Sequence, residues 1–274
     1  MTDLVPAAIA SEIEAGRKAS NLAFALLALP RQRRADALVF YRFCRILDDI
    51  ADSDLLTPDE KHHALAAWVD ALAGRRDLPA DLAQIVARHE IDRALLGEIL
   101  AGVRADLTVH RYVTFADARQ YCWRVASAVG LVSIRIFGCR DAASTAYAEN
   151  LGLALQWTNI LRDVGEDAQN GRIYLPQDEL ARFGVSESNL LARRATPEFL
   201  RLMEFQADRA AQFFAAAVVP AADRHALRSA EMMRAIYATL LRRMRADGFR
   251  VFEKRYRLSR PEKLWLAART LTGL

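Results

Sequence analysis

Apolar residues recur at three- and four-residue intervals along most of the chain, and the rhythm breaks where proline and glycine collect. The clearest stripe is Ala37, Phe40, Tyr41, Cys44, Leu47 and Ala51, which predicts a helix over 33–53. Thr57-Pro58-Asp59-Glu60 then reads as an N-cap, a first-turn proline and two acids that suit the helix dipole, so a helix is expected over about 58–73. Segment 115–137 is apolar on several faces (Val125, Ala126, Val129, Leu131, Val132, Ile134, Ile136, Phe137), the pattern of a central buried helix. Further helices are expected over 143–168 and near 197–218, 221–247 and 261–272. Alternating β-branched stretches are nearly absent, and no repeat or low-complexity linker divides the chain. The pattern predicts an all-α protein of eight or more helices, folded as a single domain over residues 1–274.

Composition agrees. With 274 residues, 53% of them apolar, the chain can bury a large core, and only 12 glycines and 8 prolines interrupt its alanine-, leucine- and arginine-rich helices. A formal charge of +4 suits an anionic partner but does not choose among phosphate groups, an acidic membrane face and nucleic acid. No run of Lys or Arg is long enough for a nucleic-acid arm, so nucleic acid is not an expected partner. The three cysteines are widely spaced and form no CxxC pair, which indicates neither a disulfide framework nor a zinc site and fits a reducing cytoplasm. Met1 to Gly16 lacks the basic-then-apolar layout of a signal peptide, and no charge-free stretch approaches the ~18–20 residues of a membrane span. A cytoplasmic, soluble protein is expected. Lys263 to Leu274, amphipathic with Trp265, is the one segment suited to peripheral membrane contact, with ordinary packing the expectation. His62, His63, His89, His110 and His225 have no paired spacing with carboxylates and read as surface or capping residues.

Candidate chemistry lies in two acidic clusters set inside apolar helices. Asp48 and Asp52, in Arg45-Ile46-Leu47-Asp48-Asp49-Ile50-Ala51-Asp52, project from one helix face a turn apart. Asn159, Asp163 and Asp167, in Asn159-Ile160-Leu161-Arg162-Asp163-Val164-Gly165-Glu166-Asp167, take successive turns of another. Like charges one turn apart repel, so two such pairs call for a cation. Oxygen-only ligands suit magnesium, which completes its shell with water and substrate phosphate. Arg45 and Arg162 add guanidinium groups, and guanidinium binds phosphate in bidentate fashion. Spacing alone leaves two readings open: a metal–diphosphate clamp, or surface acids held by Arg45 and Arg162.

The sequence resembles the squalene/phytoene synthase family over nearly its whole length. Tyr41-Arg42-Phe43-Cys44-Arg45-Ile46-Leu47-Asp48-Asp49-Ile50-Ala51-Asp52 is similar to the family's first aspartate motif. Gln156 to Asp167, followed by Gly171-Arg172-Ile173-Tyr174-Leu175-Pro176, is similar to the second and is the more specific match. Leu29-Pro30, Asp106-Leu107, Tyr121-Cys122 through Val129-Gly130 and Phe252 to Lys263 support it. Two positions depart from the family pattern: Ser20-Asn21-Leu22 lacks an aromatic residue, and Trp157 replaces a smaller residue, either as core packing or as a plug that shortens the cavity.

The resemblance implies an isoprenoid-synthase helical fold around a central cavity. It implies magnesium held by Asp48, Asp52, Asn159, Asp163 and Asp167, and a substrate site lined by Tyr41, Arg45, Gln156, Arg162, Tyr237 and Arg255. The reaction implied is head-to-head condensation of two allylic prenyl diphosphates with release of pyrophosphate. The run from Tyr121 to Gly130 looks most like bacterial hopanoid-pathway members, which points to two farnesyl diphosphates and presqualene diphosphate. NADPH is needed only where the reaction continues to squalene. Phytoene synthesis from geranylgeranyl diphosphate is the competing enzymatic reading. A non-catalytic assembly factor is the reading of another class, and the intact aspartates argue against it. Nothing in the sequence sets an oligomeric state.

Overall fold

The computed structural model describes residues 4–6, 8–9 and 25–272; Ser20-Asn21-Leu22 lies outside them. Among the described residues the chain is all-α. Its helices are α1 (Arg31–Asp52), α2 (Pro58–Leu72), α3 (Ala80–Arg88), α4 (Arg93–Ala105), α5 (Phe115–Cys122), α6 (Ala128–Phe137), α7 (Ala143–Gln169), α8 (Gln177–Phe183), α9 (Glu187–Leu191), α10 (Pro197–Ala216), α11 (Arg228–Ala246) and α12 (Arg260–Thr272). An isolated bridge between Arg111 and Ile173 is the only β-type pairing among these residues.

Local chemistry sets the boundaries. Thr57 is the N-cap expected at the start of α2 and closes a capping box with Glu60, and Thr114 and Asp117 form another at α5. Thr196 caps α10 ahead of Pro197. The helix expected over 221–247 begins only at Arg228. Before it, the buried Asp223 carboxylate accepts from the Arg140 and Asp141 amides and the Ser144 hydroxyl, pinning this segment to the start of α7. Helices α3, α4, α8 and α9 add to those the sequence pattern predicts.

The buried segment 115–137 is not one α-helix. Between α5 and α6 it widens into a π turn, Trp123–Ser127. Glycines let two helices approach this turn closely. A Cβ on Gly152 of α7 would lie 2.6 Å from the Ser127 backbone, and one on Gly102 of α4 would lie 2.7 Å from Val125 Cγ1. Helix α7 thus runs through the middle of the fold, packed on the π turn, α6, α10 and α11. One apolar cluster surrounds it, and a second joins α1 to α4 with α6.

Two residues read from the sequence alone find their roles here. Trp157 is 1% exposed and donates from Nε1 to Gln206 Oε1 (3.2 Å), so it is core packing. His89 caps the end of α3, as a capping residue should, and does more: its Nε2 lies 2.8 Å from the buried Asp36 carboxylate, which Arg88 also holds at 2.6 Å. This clamp ties α1 to the end of α3.

Candidate active site

The first acidic pair sits on the last two turns of α1, where Phe43, Ile46, Leu47 and Ile50 bury the opposite face. Arg45 pairs with Asp49 at 2.6 Å, and Asp48 feels only its charge. Asp48 is open on its outer side yet crowded by protein. That enclosure, with the Asp52 carboxylate one turn away, pushes its carboxyl up to about 7.

The second pair lies on α7, whose one face carries Gln156, Asn159, Asp163 and Asp167 in order. Asp163 is held from two sides. Arg162 donates to it through Nε (2.8 Å) and Nη2, and Arg255 donates through Nη2 (3.2 Å) with its Nε also 3.0 Å from Oδ1. Arg255 also pairs with Glu166 at 2.9 Å. Asp167 has no such clamp, and burial, with Asp163 adding, pushes its carboxyl up to about 7.

The fold brings Asp52 of the first pair and both Asp163 and Asp167 to one polar cavity of about 540 Å³, whose walls also include Lys61, Arg172 and Arg255. Arg172, in the loop leaving α7, spans it: Nη1 stands 4.0 Å from Asp52 Oδ1, and Nη2 donates to the Asp106 carbonyl at 3.4 Å. Asp106 is a third acid between the pairs. It accepts from Tyr174 (2.9 Å) and Tyr121 (3.1 Å), yet burial still pushes its carboxyl up to about 6. In the sequence Asp106 and Tyr121 stand only among the supporting matches, and Arg172 and Tyr174 in the tail of the second motif; none of the four is marked there as a site residue. Their available signal is an acid ending the apolar run of α4 and an arginine five residues past Asp167.

An apolar cavity of about 220 Å³ lies along the same face of α7, between α6 and α11. Gln156, Asn159 and Tyr237 belong to its wall, with Val129, Leu151 and Met233 deeper along it. Asn159 and Asp163 stand one helical turn apart, so the greasy cavity and the charged one meet on α7. Tyr41, Arg45, Asp48 and Arg162 line neither cavity; Tyr41 and Arg162 are half-buried, and Arg45 and Asp48 exposed.

The donor set suits a hard cation. Asp48, Asp52, Asn159, Asp163 and Asp167 offer oxygen alone, and Asn159 Oδ1 is buried without a hydrogen-bond partner while its Nδ2 donates to Gln156 Oε1 (3.3 Å). Among the described residues no three His, Cys, Asp or Glu side chains gather tightly enough to enclose an ion. An ion that draws much of its shell from water and phosphate fits such a site better than one requiring a complete protein cage.

The model of the squalene/phytoene synthase family matches residues 15–262. The chain belongs to that family. Its members are prenyltransferases that join prenyl diphosphates head to head. A phytoene synthase of Mycobacterium tuberculosis is 34% identical across the whole chain and 93% of its own length. A 15-cis-phytoene synthase of Synechococcus elongatus is 37% identical over 72% of the chain and 70% of its own length. Among solved structures, a dehydrosqualene synthase in complex with a ligand superposes with a TM-score of 0.82 at 26% identity, covering 96% of this chain and 95% of that one. Squalene synthase HpnC from Alicyclobacillus acidocaldarius superposes at 0.76 and 28% identity, covering 90% of this chain and 97% of its own.

Proposed function

We propose that the protein condenses two farnesyl diphosphates to presqualene diphosphate, with magnesium. The observation that carries this reading is the junction on α7, where a cavity walled by acids and arginines meets an apolar one at Asn159, whose Oδ1 has no protein partner.

In this reading Asp48, Asp52, Asn159, Asp163 and Asp167 hold magnesium. The chemistry magnesium supplies when bound is neutralisation of charge on the departing pyrophosphate. Arg162, Arg172 and Arg255 bind the diphosphate oxygens, and Arg255 exchanges its hold on Asp163 and Glu166 for the incoming anion. Gln156 and Tyr237 position the reacting ends of the chains, and the apolar walls exclude water from the carbocation. The donor's C1–O bond breaks as pyrophosphate leaves. The C2–C3 double bond of the acceptor attacks C1, and loss of one proton closes the cyclopropane. Tyr41 and Arg45 stand outside both cavities, so a part in substrate binding needs movement of α1 or of the substrate toward it.

The C15 assignment is supported by the Tyr121 to Gly130 run and by likeness to a dehydrosqualene and a squalene synthase over nearly the full chain. The names of the M. tuberculosis and S. elongatus relatives favour a second reading, condensation of geranylgeranyl diphosphate to phytoene. Exposed Leu264 and Trp265 on α12 support a further part of the proposal, that the protein rests on a membrane.

The deciding experiment incubates purified protein and magnesium with farnesyl or geranylgeranyl diphosphate, with and without NADPH, and identifies products by chromatography and mass spectrometry. Presqualene diphosphate from the C15 substrate is expected; squalene in the NADPH arm extends the reaction. Phytoene alone sinks the C15 assignment. No condensation product from either substrate sinks the enzymatic reading. The Asp48→Asn/Asp163→Asn double variant should lose magnesium-dependent pyrophosphate release, which a non-catalytic assembly factor would never have shown.

A further inference from the structure

We propose that Tyr147, fixed by Glu231, is the floor of the apolar cavity and sets the length of prenyl chain the protein accepts. The proposal rests on the reading of this cavity as the site of the prenyl tail.

The direction of the cavity follows from α7. Gln156 and Asn159 stand at the end nearest the aspartates, and Tyr147 lies twelve residues back from Asn159, about 18 Å away at 1.5 Å per helical residue. Helix α6 runs antiparallel beside this stretch. Ser127 lies against Gly152, and Gly130 packs so tightly on Ala148 that a Cβ there would stand 3.0 Å from its carbonyl oxygen. Phe137, further along α6, therefore reaches the same deep end as Tyr147.

The ring of Tyr147 is not free to step aside. Its Oη donates to Glu231 Oε1 at 2.7 Å. Glu231 takes a longer bond from Arg234 (3.4 Å), and Arg234 is itself fixed on the Phe214 and Ala217 carbonyls, each at 2.9 Å. Swinging the phenol away would leave the half-buried carboxylate without its shortest donor. Beside it, Ser229 Oγ is buried with no hydrogen-bond partner and belongs to the same cavity wall. A tail long enough to pass Tyr147 would also have to cover this hydroxyl, which favours a chain that ends short of it. One isoprene unit adds five carbons, each worth enough on burial that a blocked unit discriminates strongly.

The test compares kcat/KM for farnesyl, geranylgeranyl and geranylfarnesyl diphosphates in the wild type and in Tyr147→Phe, Tyr147→Leu, Tyr147→Ala and Ser229→Ala, each checked for folding by circular dichroism. Tyr147→Phe keeps the ring but frees it from Glu231, and should raise the ratio of C20 to C15 use by less than Tyr147→Ala does. Tyr147→Ala should raise that ratio at least about tenfold, and Ser229→Ala by a smaller factor. Tyr147→Leu retains a buried apolar side chain and serves if the alanine variant unfolds. An unchanged ratio in a folded Tyr147→Ala or Tyr147→Leu variant overturns the proposal. Wild-type preference for the C20 substrate overturns only the C15 reading. The floor is then judged by the same variants on the C25-to-C20 ratio, which must rise if Tyr147 is the stop.

Discussion

Arg172 reaches across the polar cavity to Asp52, with Nη1 4.0 Å from Oδ1, and so joins the exit of α7 to the end of α1. Its other terminal nitrogen donates to the Asp106 carbonyl. This guanidinium is thus already oriented toward the place where the two aspartate faces meet, and it is the cation nearest Asp52 in the cavity wall. Arg172→Ala is expected to lower kcat/KM by about a hundredfold or more, the loss typical of one positioned donor to a developing anion. Arg172→Lys keeps the charge but not the fork and should recover only part of it. Steady-state kinetics with pyrophosphate detection checks both, and wild-type rates in Arg172→Ala would remove this residue from the site.

Much of this was legible in the sequence, for a physical reason. Asp48/Asp52 and Asn159/Asp163/Asp167 each lie on one helix, where the 3.6-residue repeat alone fixes which side chains share a face. Arg162–Asp163 pairing is likewise local. Residues that depend on tertiary packing were harder to see. Asp106 gains meaning only when Tyr121 and Tyr174 converge on it from separate elements, and Asp36 only when α3 brings Arg88 and His89 to α1. The π turn was equally hidden, because the apolar pattern of 115–137 suits a continuous helix and the wider turn answers to α7 pressing on it through Gly152.

Asp106 carries a cost in stability that its variants should reveal. Its folded pKa, about 6, lies above the ordinary 3.8, so the folded state holds its proton more tightly than the unfolded one. The penalty is absent below about 3.8, grows as pH rises toward 6 and is complete above it. Asp106→Asn in chelator, without substrate, should therefore gain melting temperature relative to wild type as pH rises through that window. It should lose about tenfold in kcat, since Tyr121 and Tyr174 then share one acceptor oxygen and no charge. Thermal melts at pH 4 and pH 8 decide it: a gain that is larger at pH 4 contradicts the sign.

The exposed face of α12 makes membrane contact measurable. Leu266 and Ala267 are buried, while Leu264 and Trp265 stay 59% and 60% exposed beside the exposed Arg257 and Arg260. An aromatic and a leucine flanked by cations suit the headgroup region of an anionic bilayer, each cation adding about 1 kcal/mol near the surface. No described helix is long and apolar enough to cross a membrane, so the contact concerns the surface alone. Co-sedimentation with vesicles containing anionic lipid should fall about tenfold in Leu264→Asp/Trp265→Asp and fall for the wild type as salt is raised. Turnover of detergent-dispersed substrate should stay unchanged. Equal sedimentation of variant and wild type would place the contact elsewhere.

The Asp36 clamp should matter to stability and not to chemistry. Burial alone would raise its carboxyl, but the hydrogen bonds from His89 and Arg88 prevail and hold it below the ordinary value of 3.8. A depressed folded pKa stabilises the protein above the unfolded value, and that contribution is lost as pH falls below 3.8 through the folded value. Asp36→Ala leaves Arg88 and His89 without their shared acceptor and cuts a tie between α1 and α3. It should cost about 2–4 kcal/mol at pH 7, in the range for breaking a buried charged pair. Asp36→Asn, which keeps the shape and one acceptor, should cost less. In both variants the deficit against wild type must shrink as pH is lowered past 3.8, because the wild type loses there what the variants already lack. Denaturant melts across that range, with kcat at pH 7 unchanged in the folded fraction, check the assignment, and a deficit that stays constant with pH would show that the Asp36 charge contributes nothing.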